Sequence, residues 1–169
     1  MKLALCLAIV VISAYIGRLM SRKMAQRLDF FRDYQSAMTQ LSDKVVGPGL
    51  ELYKALLECR IQTVRPLFVR CAALLSQHPQ LKLEVIWLKS LAQNGETLSS
   101  LSKADGLFLR DGGHALEALC GNPSERQAAI YLKQLADYIT VLEQEKSKKS
   151  KLYNTAGVLA GLMIALLVI

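Results

Sequence analysis

Apolar residues recur every three or four positions through the middle of this chain, and at both ends they merge into unbroken runs. Met24, Leu28, Phe31, Met38, Leu41 and Val45 keep that interval and predict an amphipathic helix from about Met20. Gly47, Pro48 and Gly49 end it, because proline cannot extend a helix and glycine favours its C-terminal cap. Leu50, Tyr53, Leu57, Ile61 and Val64 mark a second helix, and Pro66 opens a third with Leu67, Cys71, Leu74 and Leu75 on its apolar face. A fourth is expected over 80–93, with Leu81, Val85, Leu88 and Leu91 inward and Trp87 at the edge of that face. A fifth takes Leu98, Leu101, Ala104, Phe108, Ala115 and Leu119 to the core. Gly112 and Gly113 inside it point to a kink or a close helix crossing. Asn122, Pro123 and Glu125 form a start signal for a sixth helix, striped by Leu132, Leu135, Ile139 and Leu142. No run reads as a strand.

The two end runs change this from a bundle alone to a bundle with anchors. From Leu152 to Ile169 there is no charge. At ~1.5 Å per residue a helix over 152–169 is about 27 Å long, near the ~30 Å hydrocarbon core of a bilayer. Leu3 to Gly17 is the second run. It reads as an uncleaved transmembrane helix, since basic residues follow it and no A-x-A site does. The sixth helix enters the last run without a breaker. The expectation is therefore all-α: an antiparallel six-helix bundle whose first and last helices extend into N- and C-terminal transmembrane helices. Its divisions are a span over 1–20, a helical domain over 21–150 and a span over 151–169.

Charge supplies the orientation. The chain carries 21 Lys plus Arg against 14 Asp plus Glu, a net +7. Arg18, Arg22 and Lys23, with Arg27, follow the first run; Lys148, Lys149 and Lys151, with Lys146, precede the last. These eight exceed the whole surplus, so the domain between them is close to neutral. Basic flanks on both spans place the middle domain in the cytoplasm and both chain ends across the membrane. They also remove the case for nucleic acid, because the aromatic residues lie on apolar stripes rather than among the basic ones.

The candidate chemistry is sparse. There is no HExxH, no GxxxxGK[ST] loop, no GxSxG and no GxGxxG. Cys6, Cys59, Cys71 and Cys120 show no metal spacing. His78 reads as a loop residue, and Asp105 and Asp111 read as members of a solvated helix face. The expectation is a protein that is not an enzyme and needs no cofactor or metal. Two rivals are a small membrane enzyme or lipid-acting protein with a composite site, which clustered perturbed carboxylates or His114 in a deep pocket would favour, and a self-associating envelope protein. Gly157 and Gly161 form a GxxxG, the spacing that lets membrane helices approach backbone to backbone, within one chain or between copies in a homo-oligomer.

The terminal stretch "KSKKSKLYNTAGVLAGLMIALLVI", with Tyr153, Gly157, Leu159 and Gly161, resembles the C-terminus of the stage III sporulation protein AB family. "LFLRDGGHALEAL" is similar to a second family block through Leu109, Gly113 and Leu116, followed by Gln127 and Ile130. In "DKVVGPGLELYKAL" the counterparts are Asp43, Gly47 and Leu52. Asn154 and Glu117 depart from the pattern, standing where the family has Arg and Gly. The resemblance implies a membrane component of the channel that joins mother cell and forespore, in the mother-cell membrane around the forespore. Its helical domain would be similar to the platform proteins of type II secretion and type IV pilus machines. The implied partners are a cytoplasmic ATPase, stage III sporulation protein AA, and other channel subunits. Asp43, Gly47, Gly49 and Leu52 are the candidate partner interface.

Overall fold

Six helices make up the secondary structure of the described residues, and none of those residues is in a strand. The computed structural model describes the backbone of 2–95, 98–99, 101–120 and 125–168. Side chains are described over 11–13, 15–95, 98–99, 101–120 and 126–149, and at 152, 155, 156, 159 and 163. The elements are α1 (Lys2–Val46), α2 (Leu52–Leu57), α3 (Arg65–Gln77), α4 (Leu83–Gln93), α5 (Lys103–Leu119) and α6 (Glu125–Val168). The expected start signal at Asn122 and Pro123 lies outside the described residues. The expected run of the sixth helix into the terminal stretch is observed, since α6 is unbroken to Val168. The chain divides into two compact units, one of 1–29 with 140–169 and one of 30–139.

Within the first unit, Arg27 of α1 meets Glu145 of α6 at 3.5 Å, and Lys149 sits one turn on from Glu145 at 3.4 Å. Partly exposed pairs of this kind contribute about 0–1 kcal/mol.

The second unit is built on aromatic rings. All four phenylalanines, the single tryptophan and three tyrosines form one connected set: Phe30, Phe31 and Tyr34 from α1, Phe68 from α3, Trp87 from α4, Phe108 from α5, Tyr131 and Tyr138 from α6. Phe108 stacks on Tyr138 at 4.8 Å, and Phe31 meets Tyr138 edge-on at 5.1 Å. Such rings bury ~150–250 Å² each, worth about 4–6 kcal/mol apiece at ~25 cal/mol/Å². The α1 positions in this core are Phe30, Phe31, Tyr34, Ala37, Met38 and Leu41, the steps of three and four that one helix face requires.

Three helices differ from the sequence expectation. The second stops at Leu57 instead of running to Val64. Its apparent stripe continues past that point, but both Cys59 and Val64 are buried. Five residues apart on a helix, they would face ~140° from each other. The irregular link buries both, and Thr63 ties it to Asp33 of α1 at 2.5 Å. Pro66 then lies in the first turn of α3, where its missing N–H costs no hydrogen bond.

The fourth helix is rotated relative to expectation. Ile86, Trp87 and Ser90 are its buried residues, whereas Val85 is 38% exposed and Leu88 and Leu91 are half-buried. Trp87 is fully buried and donates its indole N–H to the Leu109 carbonyl at 2.7 Å. Ser90 is tolerated beside it because its hydroxyl donates to Ile86 O of the same helix at 2.8 Å.

The fifth helix begins at Lys103, leaving Leu98 and Leu101 outside it. Ser102 caps it: the Ser102 hydroxyl accepts from Asp105 N–H, and the Asp105 carboxylate accepts from Ser102 N–H at 2.6 Å. Ala104, expected in the core, is exposed, while Gly112 and Gly113 are buried. α5 remains helical through both glycines, which resolves the expected alternatives in favour of a close crossing. A Cβ at Gly113 would lie 3.3 Å from the Glu84 Cα of α4 and 3.0 Å from a Trp87 ring atom.

Candidate functional site

The candidate interface named from sequence falls at the turn after α1. Val46 is the last helical residue, Gly49 takes φ +68°, and the Leu50 N–H reaches back to the Lys44 carbonyl at 3.1 Å. Only glycine adopts that φ freely. Lys44 and Glu58 clamp the turn from its two sides at 2.6 Å. That hydrogen bond, then the Lys44 charge, holds the Glu58 carboxyl below its usual range. Asp43, Gly47 and Gly49 are exposed, and so are Val46, Tyr53 and Leu57. Leu52 is buried, so it holds α2 in place and offers no surface. The result is a braced polar turn beside exposed apolar side chains.

Asp105 corrects a sequence expectation. It is fully buried, whereas its pattern assigned it to a solvated face. Besides its cap role it accepts the Tyr138 O–H at 2.5 Å, joining α5 to α6. No buried side-chain N or O among the described residues lacks a partner, so this carboxylate is structural. Asp105→Ala should lose both the cap and the hydrogen bond to Tyr138, at a cost of about 2–3 kcal/mol. Urea titration of the full chain, followed by Trp87 fluorescence, measures this directly.

Cys71 and the Tyr34–Tyr131 pair complete the buried polar chemistry. The two hydroxyls lie 3.2 Å apart, and burial raises both above the ordinary tyrosine value. Burial also pushes the Cys71 thiol from 9.0 up to about 11, slightly offset by a hydrogen bond with Ser90. The folded chain thus keeps a proton that the unfolded chain gives up from about pH 9. This stabilisation is complete below pH 9 and is lost as the pH rises through about 11, to the extent of about 3 kcal/mol. The urea midpoint should fall over that window, and Cys71→Ala should flatten the fall whatever it does to stability at pH 7. A thiol held this way is inert at neutral pH.

Among the described residues, two hollows open on the α4–α5 side and a third between α5 and α6. The largest, about 700 Å³, is apolar and lined by leucines of α4, α5 and the link between them. A second, about 530 Å³, holds Glu84, Asp111 and His114. His114 Nε2 stands 3.6 Å from Glu84 Oε1, and the His114 side chain is 63% exposed. A third, about 280 Å³, shares Asp111 and His114 and adds Gln127 and Gln134. Either clustered perturbed carboxylates or His114 in a deep pocket would favour the composite-site rival; His114 lines two of these hollows, with its side chain 63% exposed. Among the described residues no three His, Cys, Asp or Glu side chains are grouped to hold a metal ion.

Arg18, Arg22 and Lys23 are exposed on α1, as are Lys148 and Lys149 on α6. Among the described residues no helix is long and apolar enough to cross a membrane. The two spans expected over 1–20 and 151–169 are therefore not shown. Residues 1–10 and most of 151–169, including Lys151, Gly157 and Gly161, lie outside the described side chains.

Sequence signals existed for two features that periodicity missed. Ser102 and Asp105 are three apart, the spacing of a capping box. Trp87 is the largest side chain of α4 and the costliest to leave at an edge. The leucine-lined hollow had no such signal, because it is assembled from separate segments.

Neither a curated protein nor a solved structure matches the chain significantly. The family model described as stage III sporulation protein AB matches residues 2–169, which include the braced turn, the glycine crossing and the terminal stretch alike. The chain belongs to the stage III sporulation protein AB family.

Proposed function

We propose that the chain is a non-enzymatic membrane platform component of a secretion-like channel needed for endospore formation, coupling a cytoplasmic ATPase to the channel. The observation that carries this reading is the family match over residues 2–169, which gives a stage III sporulation role. The all-helical structure is compatible with a platform.

In this reading the apolar runs at 3–17 and 152–169 anchor the chain, and Arg18, Arg22, Lys23, Lys148, Lys149 and Lys151 keep the helical domain on the cytoplasmic side. The sporulation ATPase, stage III sporulation protein AA, docks through Asp43 and the turn at Gly47 and Gly49. Its position is passed along α1 and α6, each a single helix that contributes to both units. Gly157 and Gly161 pack the spans, in one chain or between copies, beside the other channel subunits in the mother-cell membrane around the forespore.

Heat-resistant spore counts test the role. A strain lacking the chain should stall at stage III and recover with the full chain. Normal sporulation without it would refute the reading.

A further inference from the structure

The apolar hollow beside α5 has three features that the fold itself does not require. First, Leu88 and Leu91 of α4 and Leu98 and Leu101 of the following link remain only half-buried, and Leu107 of α5 is 62% exposed. Clustered leucines left open to water are costly unless another surface covers them.

Second, the cations on its wall are placed in register. Lys103 and Arg110 are seven residues apart, so they lie on one face of α5, two turns or ~10 Å apart along its axis. Leu107 lies between them on that face. Among the described residues no carboxylate lines this hollow, and neither cation has an ion-pair partner. The carboxylates Glu84 and Asp111 line the neighbouring hollow, which shares Leu88, Leu107 and Arg110 with this one.

Third, Gly106 sits on the same face of α5 with nothing within 4 Å of where its Cβ would be. Gly112 and Gly113, in the same helix, are accounted for by the crossing with α4. Gly106, the fourth residue of α5, carries up to ~1 kcal/mol of helix-propensity cost with no internal contact to explain it. Its missing side chain lets an external backbone come close.

We propose that this hollow is the docking groove for an amphipathic helix of a partner protein, one that presents leucine-like side chains at i, i+3, i+4 and i+7 with acidic residues seven apart beside them. The seven-residue spacing of the cations favours a helix over an anionic lipid, since one headgroup cannot meet both. The leucines supply affinity, and Lys103 and Arg110 set the direction in which the helix lies. The proposal does not depend on the platform reading and concerns a surface other than the turn at Gly47–Gly49.

The test uses the full chain in lipid nanodiscs and a labelled 18-residue helical peptide of leucines and glutamates in that pattern, with lysine replacing glutamate in a control peptide. Fluorescence anisotropy should show saturable binding of the acidic peptide, at least tenfold tighter than the control. Leu107→Glu, at an exposed position, should weaken it at least tenfold, and Arg110→Glu should reduce the acidic preference about tenfold. Equal binding of the two peptides, or indifference to Leu107→Glu, would overturn the proposal. So would self-association of the full chain that Leu107→Glu abolishes, which would assign the groove to a second copy, or displacement of the peptide by oleate alone, which would assign it to lipid.

Discussion

Trp87→Ala should lower the unfolding free energy of the full chain by about 3–5 kcal/mol, a loss comparable to the whole stability of many domains. The size follows from position. Trp87 is fully buried, lies 6.1 Å from Phe68 and 6.3 Å from Tyr34 between ring centroids, and closes on Gly112 and Gly113 of α5. Truncation removes the largest ring of the core and opens a space that several helices cannot close by one movement. It also removes the donor to the Leu109 carbonyl. Trp87→Phe should cost less, since it keeps most of the ring area and loses chiefly that hydrogen bond. Urea titration by circular dichroism, which needs no tryptophan, compares the two.

Gly112→Val is the second large effect, expected at about 2–3 kcal/mol and opposite in sign to the change at Gly106. A Cβ at Gly112 would stand 2.3 Å from the Tyr34 hydroxyl and 3.1 Å from that of Tyr131. Both hydroxyls are bonded to each other in the core, so neither can swing into solvent. The overpacking is paid by breaking that bond or by moving α5 away from α1 and α6. At Gly106 a Cβ meets nothing, so Gly106→Ala should raise stability by up to ~1 kcal/mol through helix propensity alone. Chemical denaturation of the two variants in the same background gives the comparison. Destabilisation at both positions would show that backbone freedom, rather than the tyrosine contact, governs this helix.

How legible the structure was in the sequence depended on how many faces each helix uses. α1 was clear because its core residues lie on one stripe and its end is marked by Gly47, Pro48 and Gly49. α4 misled because it is apolar on two faces: Ile86 and Trp87 enter the core, while Leu88 and Leu91 face the groove. Counting apolar positions cannot rank two such faces; the indole N–H, which needs a buried acceptor, could have. α2 misled because Leu57, Ile61 and Val64 keep helical spacing in a segment where burial of Cys59 and Val64 forces an irregular path. The turn at Gly47 and Gly49 was legible from its glycines and Pro48, whereas Asp43 was named only through the family block. The burial of Leu52 was not legible, since a leucine opening a short helix carries no sign of which way it points. The leucine groove was out of reach because its lining comes from α4, the link and α5 together. The family was legible from short blocks, above all the one holding Gly113 and the one holding Gly157 and Gly161.

Binding of the purified sporulation ATPase to the full chain in nanodiscs tests the platform reading most directly. The expected result is saturable binding that Asp43→Lys weakens at least tenfold, with Leu107→Glu as a separate comparison at the groove. Binding no greater than to empty nanodiscs would contradict the reading, and binding that Asp43→Lys leaves unchanged would remove the turn at Gly47–Gly49 as the docking surface.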